Sequence, residues 1–96
     1  MLGAEPGQVK YWRDRAGHEV DFVVPRGRGE CDAIECKWNP DEFEAKPFHV
    51  FRSFHPHGRN YLVSPNVVRT YSRTSGSLEV LVCTSEQLLG LVAPDG

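Results

Sequence analysis

The sequence predicts an α/β domain of the α+β kind, built on one mixed sheet of antiparallel and parallel strands. Two features carry this prediction. The first is a set of three strand-like runs, residues 8–13, 18–24 and 31–37, separated by turn residues. The second is a helical segment followed by a short apolar run at 59–64. That order places the later strand parallel to the third one through a right-handed crossover.

Turn-forming residues join the three strand-like runs into an antiparallel set. Asp14 and Gly17 occupy the first and last positions of a type I turn between the first two runs. Residues 25–29, Pro-Arg-Gly-Arg-Gly, supply a flexible reversal before the third run. The second run alternates strictly in polarity, so Val20 and Val23 are expected on opposite faces of the sheet.

The segment after the third strand carries helix signals. Residues 39–42, Asn-Pro-Asp-Glu, combine an Asn cap, a proline at the first helical position and early acids. Pro47 then interrupts this segment. Three phenylalanines recur at every third position over 48–54, a spacing that predicts a short helix which starts at this proline and ends by Gly58.

The C-terminal third of the chain predicts a loop, a strand and a helix. Residues 65–76 are polar and are predicted to be loop. Residues 78–82 form the last strand-like run, and residues 85–89 have the pattern of a capped terminal helix. The predicted order is strand, strand, strand, helix, strand, strand, helix.

Composition limits the classes of protein to which the chain can belong. Its 96 residues, 40% hydrophobic and 25% charged, are expected to form one domain, 1–96. No apolar run approaches the roughly 18 residues of a membrane-spanning helix, so no membrane partner is expected. The start lacks a secretion signal, and a cytoplasmic location follows by default. The three cysteines are odd in number and suit reduced, packed thiols.

The charge distribution restricts how the chain could contact nucleic acid. A net charge of −2 provides no overall basic field, so any such contact must be local. Arg13 with Arg15, and Arg26 with Arg28, form basic pairs in predicted turns and are the candidate nucleic-acid-binding residues. The alternative is that these are solvated loop arginines without a ligand.

Strand alternation brings acidic side chains towards one another. Glu19 and Asp21 share one face of the second strand, and Glu35 and Lys37 share one face of the third. If the reversal is centred on Arg28, Asp21 lies opposite Glu35. The same register places Glu19 opposite Lys37. Three carboxylates and one amine are therefore expected to cluster.

A divalent cation is one explanation for this cluster. Opposed like charges destabilise an antiparallel pair by a few tenths of a kcal/mol to about 1 kcal/mol, and Mg²⁺ or Mn²⁺ held by Asp21 and Glu35 would offset that. Such an ion could activate water and neutralise charge on a phosphoryl oxygen, with Lys37 orienting the water or stabilising the transition state. The alternative is a solvated face on which Glu19 and Lys37 form an exposed pair worth well under ~1 kcal/mol.

Two motifs resemble a nuclease superfamily. Residues 18–24, His-Glu-Val-Asp-Phe-Val-Val, and residues 33–37, Ala-Ile-Glu-Cys-Lys, resemble the acid strand and the Glu-x-Lys strand of PD-(D/E)xK nucleases. Residues 11–14, Tyr-Trp-Arg-Asp, leading into Glu-Val-Asp-Phe, resemble more closely the C-terminal domain of unknown function carried by many prokaryotic AAA-type ATP-binding proteins. This likeness is strong over residues 10–38 and looser after them.

The resemblance implies a restriction-endonuclease-like mixed sheet, in which three antiparallel strands are followed by a helix crossover to a parallel strand. It implies Asp21 and Glu35 as metal ligands, Lys37 as the catalytic lysine and Glu19 as an accessory catalytic acid. Few residues precede the first strand, so the usual first helix is expected to be lacking. No phosphate-binding Gly-x-x-x-x-Gly-Lys loop is present, so the chain is expected to be a fragment of a longer ATPase or a stand-alone remnant.

These observations leave two functions open. The leading hypothesis is a metal-dependent nuclease-like domain that acts on or binds nucleic-acid phosphodiesters. The alternative is a non-catalytic accessory or oligomerisation module of an AAA-type ATPase. A sheet without its first helix would expose an apolar face, so a second copy of the chain or the parent ATPase domain is the expected protein partner. Four aromatic residues are expected to pack in the core or at its rim rather than to stack on bases: Tyr11, Trp12, Phe22 and Trp38.

Overall fold

Six strands and two helices make up the part of the chain that the computed structural model describes, residues 9–92. The strands are β1 (Lys10–Arg13), β2 (Glu19–Gly27), β3 (Glu30–Cys36), β4 (Asn60–Val63), β5 (Tyr71–Ser75) and β6 (Leu78–Cys83). The helices are α1 (Lys46–Phe54) and α2 (Ser85–Val92), and a short 3-10 helix spans Pro40–Glu42. All six strands join one mixed sheet in the order β1-β2-β3-β4-β6-β5.

The predicted mixed topology is confirmed. β1, β2 and β3 pair antiparallel in sequence order, and β4 then lies parallel to β3, with Ala33 opposite Asn60 and Cys36 opposite Val63. α1 makes the crossover between these two parallel strands. β6 lies parallel to β4 on its other side, and β5 closes that edge antiparallel to β6.

The helix that makes the crossover begins where the sequence predicts. Asn39 caps the N-terminus of the 3-10 helix through a reciprocal capping box with Glu42. Pro47 lies in the first turn of α1, where its missing N–H has no intrahelical partner to lose. Phe48 and Phe51 are fully buried, and each burial is worth roughly 1.5–3 kcal/mol. Their packing fixes which face of α1 meets the sheet.

Two apolar clusters lie on the two faces of the sheet. The larger one, under α1, contains Phe48 and Phe51 with residues of β2, β3, β4 and β6, and Trp12 packs edge-on against Phe51 at 5.2 Å between ring centroids. The smaller cluster contains Val24, Ile34, Tyr61 and Cys83, with Leu88 of α2 packed against it. α2 therefore contributes to covering the second face, and self-association through this face stays a prediction.

β2 departs from the strict alternation that its sequence predicts. Val20 and Val23 are both fully buried in the cluster under α1, so they share a face instead of pointing in opposite directions. The cause is a bulge. Trp12 pairs with Val20 whereas Lys10 pairs with Val23, so β2 has one more residue than β1 between these two pairs.

The predicted loop at 65–76 contains a strand, so that prediction is wrong for residues 71–75. β5 pairs with β6 along its whole length, from Tyr71 opposite Val82 to Ser75 opposite Leu78. It is the outer strand of the sheet and is mostly exposed, so its polar sequence is that of an edge strand rather than of a loop.

The cysteines and the strand aromatics also depart from the sequence prediction. All three cysteines are free, and Cys31 and Cys83 are buried, but Cys36 is exposed. Trp12 packs as expected. The other three aromatics have large exposed fractions, so core packing is excluded for them and rim packing stays a prediction: Tyr11, Phe22 and Trp38.

Two further expectations concern the first helix and membrane-spanning helices. The expected lack of a first helix concerns residues 1–8, which lie outside the described residues. Neither α1 nor α2, within residues 9–92, has the length and apolar character needed to span a bilayer.

The loop between α1 and β4 is joined to β3 by close backbone contacts. The Cys31 N–H donates to His57 O at 2.9 Å, and the Ala33 N–H donates to Arg59 O at 2.8 Å. Gly58 lies between these two bonds with φ +136, and a Cβ added there would lie 1.6 Å from Cys31 O. Only glycine fits at this position.

We predict that Gly58→Ala destabilises the fold by more than about 3 kcal/mol, because backbone strain adds to a clash with β3. Gly29→Ala is the matched control. Gly29 also has a positive φ, of +78, but has no atom within 4 Å of an added Cβ, so its cost should be about 1–2 kcal/mol. Urea unfolding followed by circular dichroism measures both. Equal losses in the two variants would show that the approach to Cys31 does not constrain the loop.

Candidate functional site

The site forms where the regular pairing of β2 and β3 gives way to side-chain contacts. The ladder between these strands runs to Phe22 opposite Ile34. Next to this pair, the Asp21 N–H donates to Glu35 Oε1 at 3.3 Å, and the Cys36 N–H donates to Asp21 Oδ2 at 3.0 Å. Each carboxylate thus accepts a backbone N–H from the opposite strand. This exchange holds Asp21 and Glu35 side by side.

Lys37 follows the end of β3 and completes this group. Its backbone N–H donates to Val63 O at 3.0 Å, which continues the parallel pairing with β4 beyond the strand. Its Nζ lies 3.7 Å from Glu35 Oε2. β3 and β4 therefore position the amine next to the acidic pair.

Glu19 has other partners. Tyr11 donates its hydroxyl to Glu19 Oε1 at 2.7 Å, and Arg13 Nε lies 3.6 Å from the same oxygen. These contacts hold Glu19 against β1, whereas Lys37 pairs with Glu35. Within residues 9–92, no group of three or more His, Cys, Asp or Glu side chains is placed to hold a metal ion. The structure thus brings two carboxylates together instead of the expected three.

The environment of Glu35 favours its protonated form. Its side chain is only 14% exposed, and this burial, followed by the neighbouring charge of Asp21, raises its pKa from 4.5 to about 6. The Asp21 N–H and the charge of Lys37 act in the opposite direction but do not cancel the rise. At neutral pH the ionised form of Glu35 therefore carries a free-energy cost.

The four arginines lie at opposite ends of β2. Arg13 and Arg15 flank the turn between β1 and β2, at the end where Asp21 lies. Arg26 and Arg28 lie at the other end, and Arg26 is five residues from Asp21 along the strand, about 16 Å away at the usual rise. The structure therefore brings only the first pair near the acidic residues.

Arg26 has a structural partner that the sequence did not reveal. Its Nε lies 3.7 Å from Oδ2 of Asp32, a carboxylate that is almost fully buried. Oδ1 of Asp32 accepts the Arg59 N–H at 3.0 Å, which ties β3 to the start of β4. An acid in an apolar strand, on the same side as Ile34, was the available signal for a buried polar contact.

Comparison with known proteins identifies the family. The sequence model of DUF4143, a domain of unknown function, matches residues 2–87. The chain belongs to the DUF4143 family. No curated protein and no solved structure matches it. For this DUF4143 domain, the geometry of the acidic pair and its surroundings must therefore carry any proposal about function.

We predict that Glu35→Gln stabilises this DUF4143 domain at pH 7.5 by about 1 kcal/mol, because it removes a carboxylate that folding makes harder to ionise. The folded pKa of Glu35, about 6, lies above its ordinary value of 4.5. Wild-type stability should therefore fall as the pH rises from 4.5 through 6, and the advantage of the variant should vanish below pH 4.5. Urea unfolding over this pH range tests it. A variant that is less stable than wild type by the same amount at every pH would contradict the account.

Proposed function

We propose that this domain is a metal-dependent nuclease-like domain that binds nucleic-acid phosphodiesters and acts on them. In this proposal Asp21 and Glu35 hold Mg²⁺ or Mn²⁺, Lys37 is catalytic and Glu19 is an accessory acid. One observation carries the proposal: two carboxylates from adjacent strands are held together, with the pKa of Glu35 raised to about 6, so a cation would relieve their repulsion.

The donor set suits a hard divalent cation. Mg²⁺ and Mn²⁺ prefer carboxylate oxygens, and Mg²⁺ usually binds proteins through one or two carboxylates while keeping several waters. Asp21 and Glu35 supply two such groups from neighbouring strands. In this proposal water and substrate oxygens complete the coordination of the ion.

The catalytic roles follow from the charges around the pair. A bound divalent ion supplies an activated water and neutralises charge on a phosphoryl oxygen. The ammonium of Lys37, whose Nζ is 3.7 Å from Glu35 Oε2, would stabilise negative charge on the phosphoryl oxygens in the transition state. Glu19 begins β2 and contacts Tyr11 and Arg13 of β1, so as an accessory acid it would orient Arg13 near the substrate.

The basic residues provide phosphate contacts in this proposal. Arg13 and Arg15 lie near the acidic pair and would contact phosphates close to the reacting one. Arg26 and Arg28 lie at the far end of β2 and would contact the backbone at a distance from it. Arg26 already pairs with Asp32, so its guanidinium would be shared between Asp32 and any phosphate that it contacts.

A second proposal is a non-catalytic accessory or oligomerisation module of an AAA-type ATPase, with a restriction-endonuclease-like fold retained as a platform. Exposed apolar side chains favour it. Phe22 is 43% exposed on β2, and Trp38, immediately after Lys37, is 77% exposed. A partner, either a second copy of the chain or an ATPase domain, could cover these surfaces. Under this proposal the acidic pair has no metal.

We predict that substitutions of the two acids and of the lysine differ in their effects on metal binding and on nucleic-acid cleavage. Asp21→Asn and Glu35→Gln should weaken Mg²⁺ or Mn²⁺ binding by more than about tenfold, since even outer-shell groups commonly contribute that much. Lys37→Ala should bind the metal almost as wild type does but lose cleavage, because an amine is no ligand of a hard cation. Calorimetry measures binding, and labelled nucleic acids report cleavage.

The controls are exposed residues of the same type. Glu44→Gln removes an exposed acid and Lys46→Ala an exposed amine, both in or beside the connection that precedes α1. Neither should change binding or cleavage. The nuclease proposal fails if wild type shows no heat of binding at millimolar Mg²⁺ or Mn²⁺ and cleaves neither single-stranded, duplex nor branched DNA nor RNA. That result would favour the accessory module.

A further inference from the structure

A cleft lies between the turn that joins β1 to β2 and the C-terminal end of α1. Its volume is about 670 Å³, and it opens to solvent beside Trp12, Arg13, Arg15, Phe54 and His55. Trp12 belongs to β1 and pairs with Val20, the residue before Asp21. The backbone of Trp12 is therefore within about 10 Å of that of Asp21 at ordinary strand spacings.

The aromatic side of the cleft leaves a phenyl ring in solvent. Trp12 packs edge-on against buried Phe51, which fixes the indole in place. Phe54 lies beside the indole at 6.3 Å between ring centroids and tilted by 46°, but it is 64% exposed. Its ring is therefore supported on one side and uncovered on the other. A flat aromatic ligand is the kind of group that such a ring binds by stacking.

The opposite side of the cleft is basic. Asp14 lies between Arg13 and Arg15, but its carboxylate is engaged by His18: Oδ1 accepts the backbone N–H, and Oδ2 contacts the ring Nδ1, both at 2.8 Å. Arg13 pairs with Glu19 only at 3.6 Å, and its side chain is 61% exposed. An exposed pair of this kind is worth little and can rearrange. The arginines are therefore available to an anion.

His55 does not add a fixed charge to the cleft. Its ring packs against Phe51 at 5.0 Å between centroids. Burial is the main cause that lowers the pKa of His55 below its ordinary value, which disfavours a charged ring. Among the described residues that line the cleft, Arg13 and Arg15 at one rim supply the positive charge.

We propose that this cleft binds a segment of single-stranded nucleic acid, with an unpaired base stacked on Phe54 and the adjoining phosphates on Arg13 and Arg15. An inorganic anion would use the arginines but not the ring. A base inside a duplex is already stacked on its neighbours and cannot reach Phe54. The inference rests on the proposed function in taking nucleic acid as the ligand, but it requires neither metal nor cleavage.

The test is binding of a fluorescein-labelled oligothymidylate to the whole chain in EDTA, followed by anisotropy. Phe54→Ala should weaken binding by at least about fivefold, the lower end of what one base–aromatic stack contributes. Phe54→Tyr should restore it, and Phe54→Leu, which keeps an apolar side chain without the ring, should not. Val68→Ala is the matched control, because Val68 is an apolar residue that is 93% exposed outside the cleft.

The arginines are tested by the salt dependence of the same binding. Two phosphate contacts to a single strand predict a slope of log affinity against log salt of about −1.4, and Arg15→Ala should reduce it to about −0.7. Arg69→Ala, which removes an exposed arginine outside the cleft, should leave the slope unchanged. In a Trp38→Phe background, Trp12 is the remaining tryptophan, and its fluorescence should be quenched by the bound oligonucleotide.

Three results would overturn the proposal: equal affinity for duplex and single strand, equal effects of Phe54→Ala and Val68→Ala, or no binding at all. The two proposals are separated on wild type, by measuring oligonucleotide binding in EDTA and Mg²⁺ binding without oligonucleotide, since the cleft does not use the acidic pair. Oligonucleotide binding without metal binding would count against the proposed catalysis alone. Metal binding without oligonucleotide binding would count against the cleft alone.

Discussion

The crossover from α1 to β4 depends on one guanidinium group, that of Arg52. Its nitrogens donate to five oxygens, 2.7 to 3.1 Å away, which belong to Cys31, His55, His57, Arg59 and Asn60. They lie on β3, on the end of α1, in the loop and at the start of β4. Burial lowers the pKa of Arg52, but an arginine keeps its charge in proteins, so these charge-assisted bonds persist. Because Arg52 and Gly58 fix this loop against β3, they also fix the register of β4.

The register of β4 against β3 helps to set the position of the acidic pair, Asp21 and Glu35. Lys37 is held by β4 through Val63, and it follows Glu35 along β3, so the parallel strands set where the amine and one carboxylate lie. The bulge in β2 sets the position of the other carboxylate. Asp21 lies within the bulge, and its side chain accepts the Cys36 N–H. Burying Glu35 beside Asp21 lowers stability at neutral pH, a cost that a binding site for a cation would explain.

Local sequence patterns predicted those parts of the fold that local chemistry determines. Alternation and turn residues gave the hairpins, and Pro47 with the spaced phenylalanines gave α1. The neighbouring positions of Asp21 and Glu35 followed from the turn register. The sequence did not predict features that depend on contacts with another strand. The bulge depends on β1, β5 has no apolar face to reveal it, and Glu19 bonds to Tyr11 across the hairpin rather than to Lys37.

The most direct test of the account is a carbon-13 NMR titration of the Glu35 side-chain carboxyl, with and without Mg²⁺. We predict a midpoint near pH 6 without metal, because the folded environment raises the pKa of this carboxyl to about 6. The midpoint should move to lower pH as Mg²⁺ is added, because a bound cation favours the ionised carboxylate. A midpoint near the ordinary value of 4.5 that Mg²⁺ does not move would contradict the claim that Asp21 and Glu35 form a cation site.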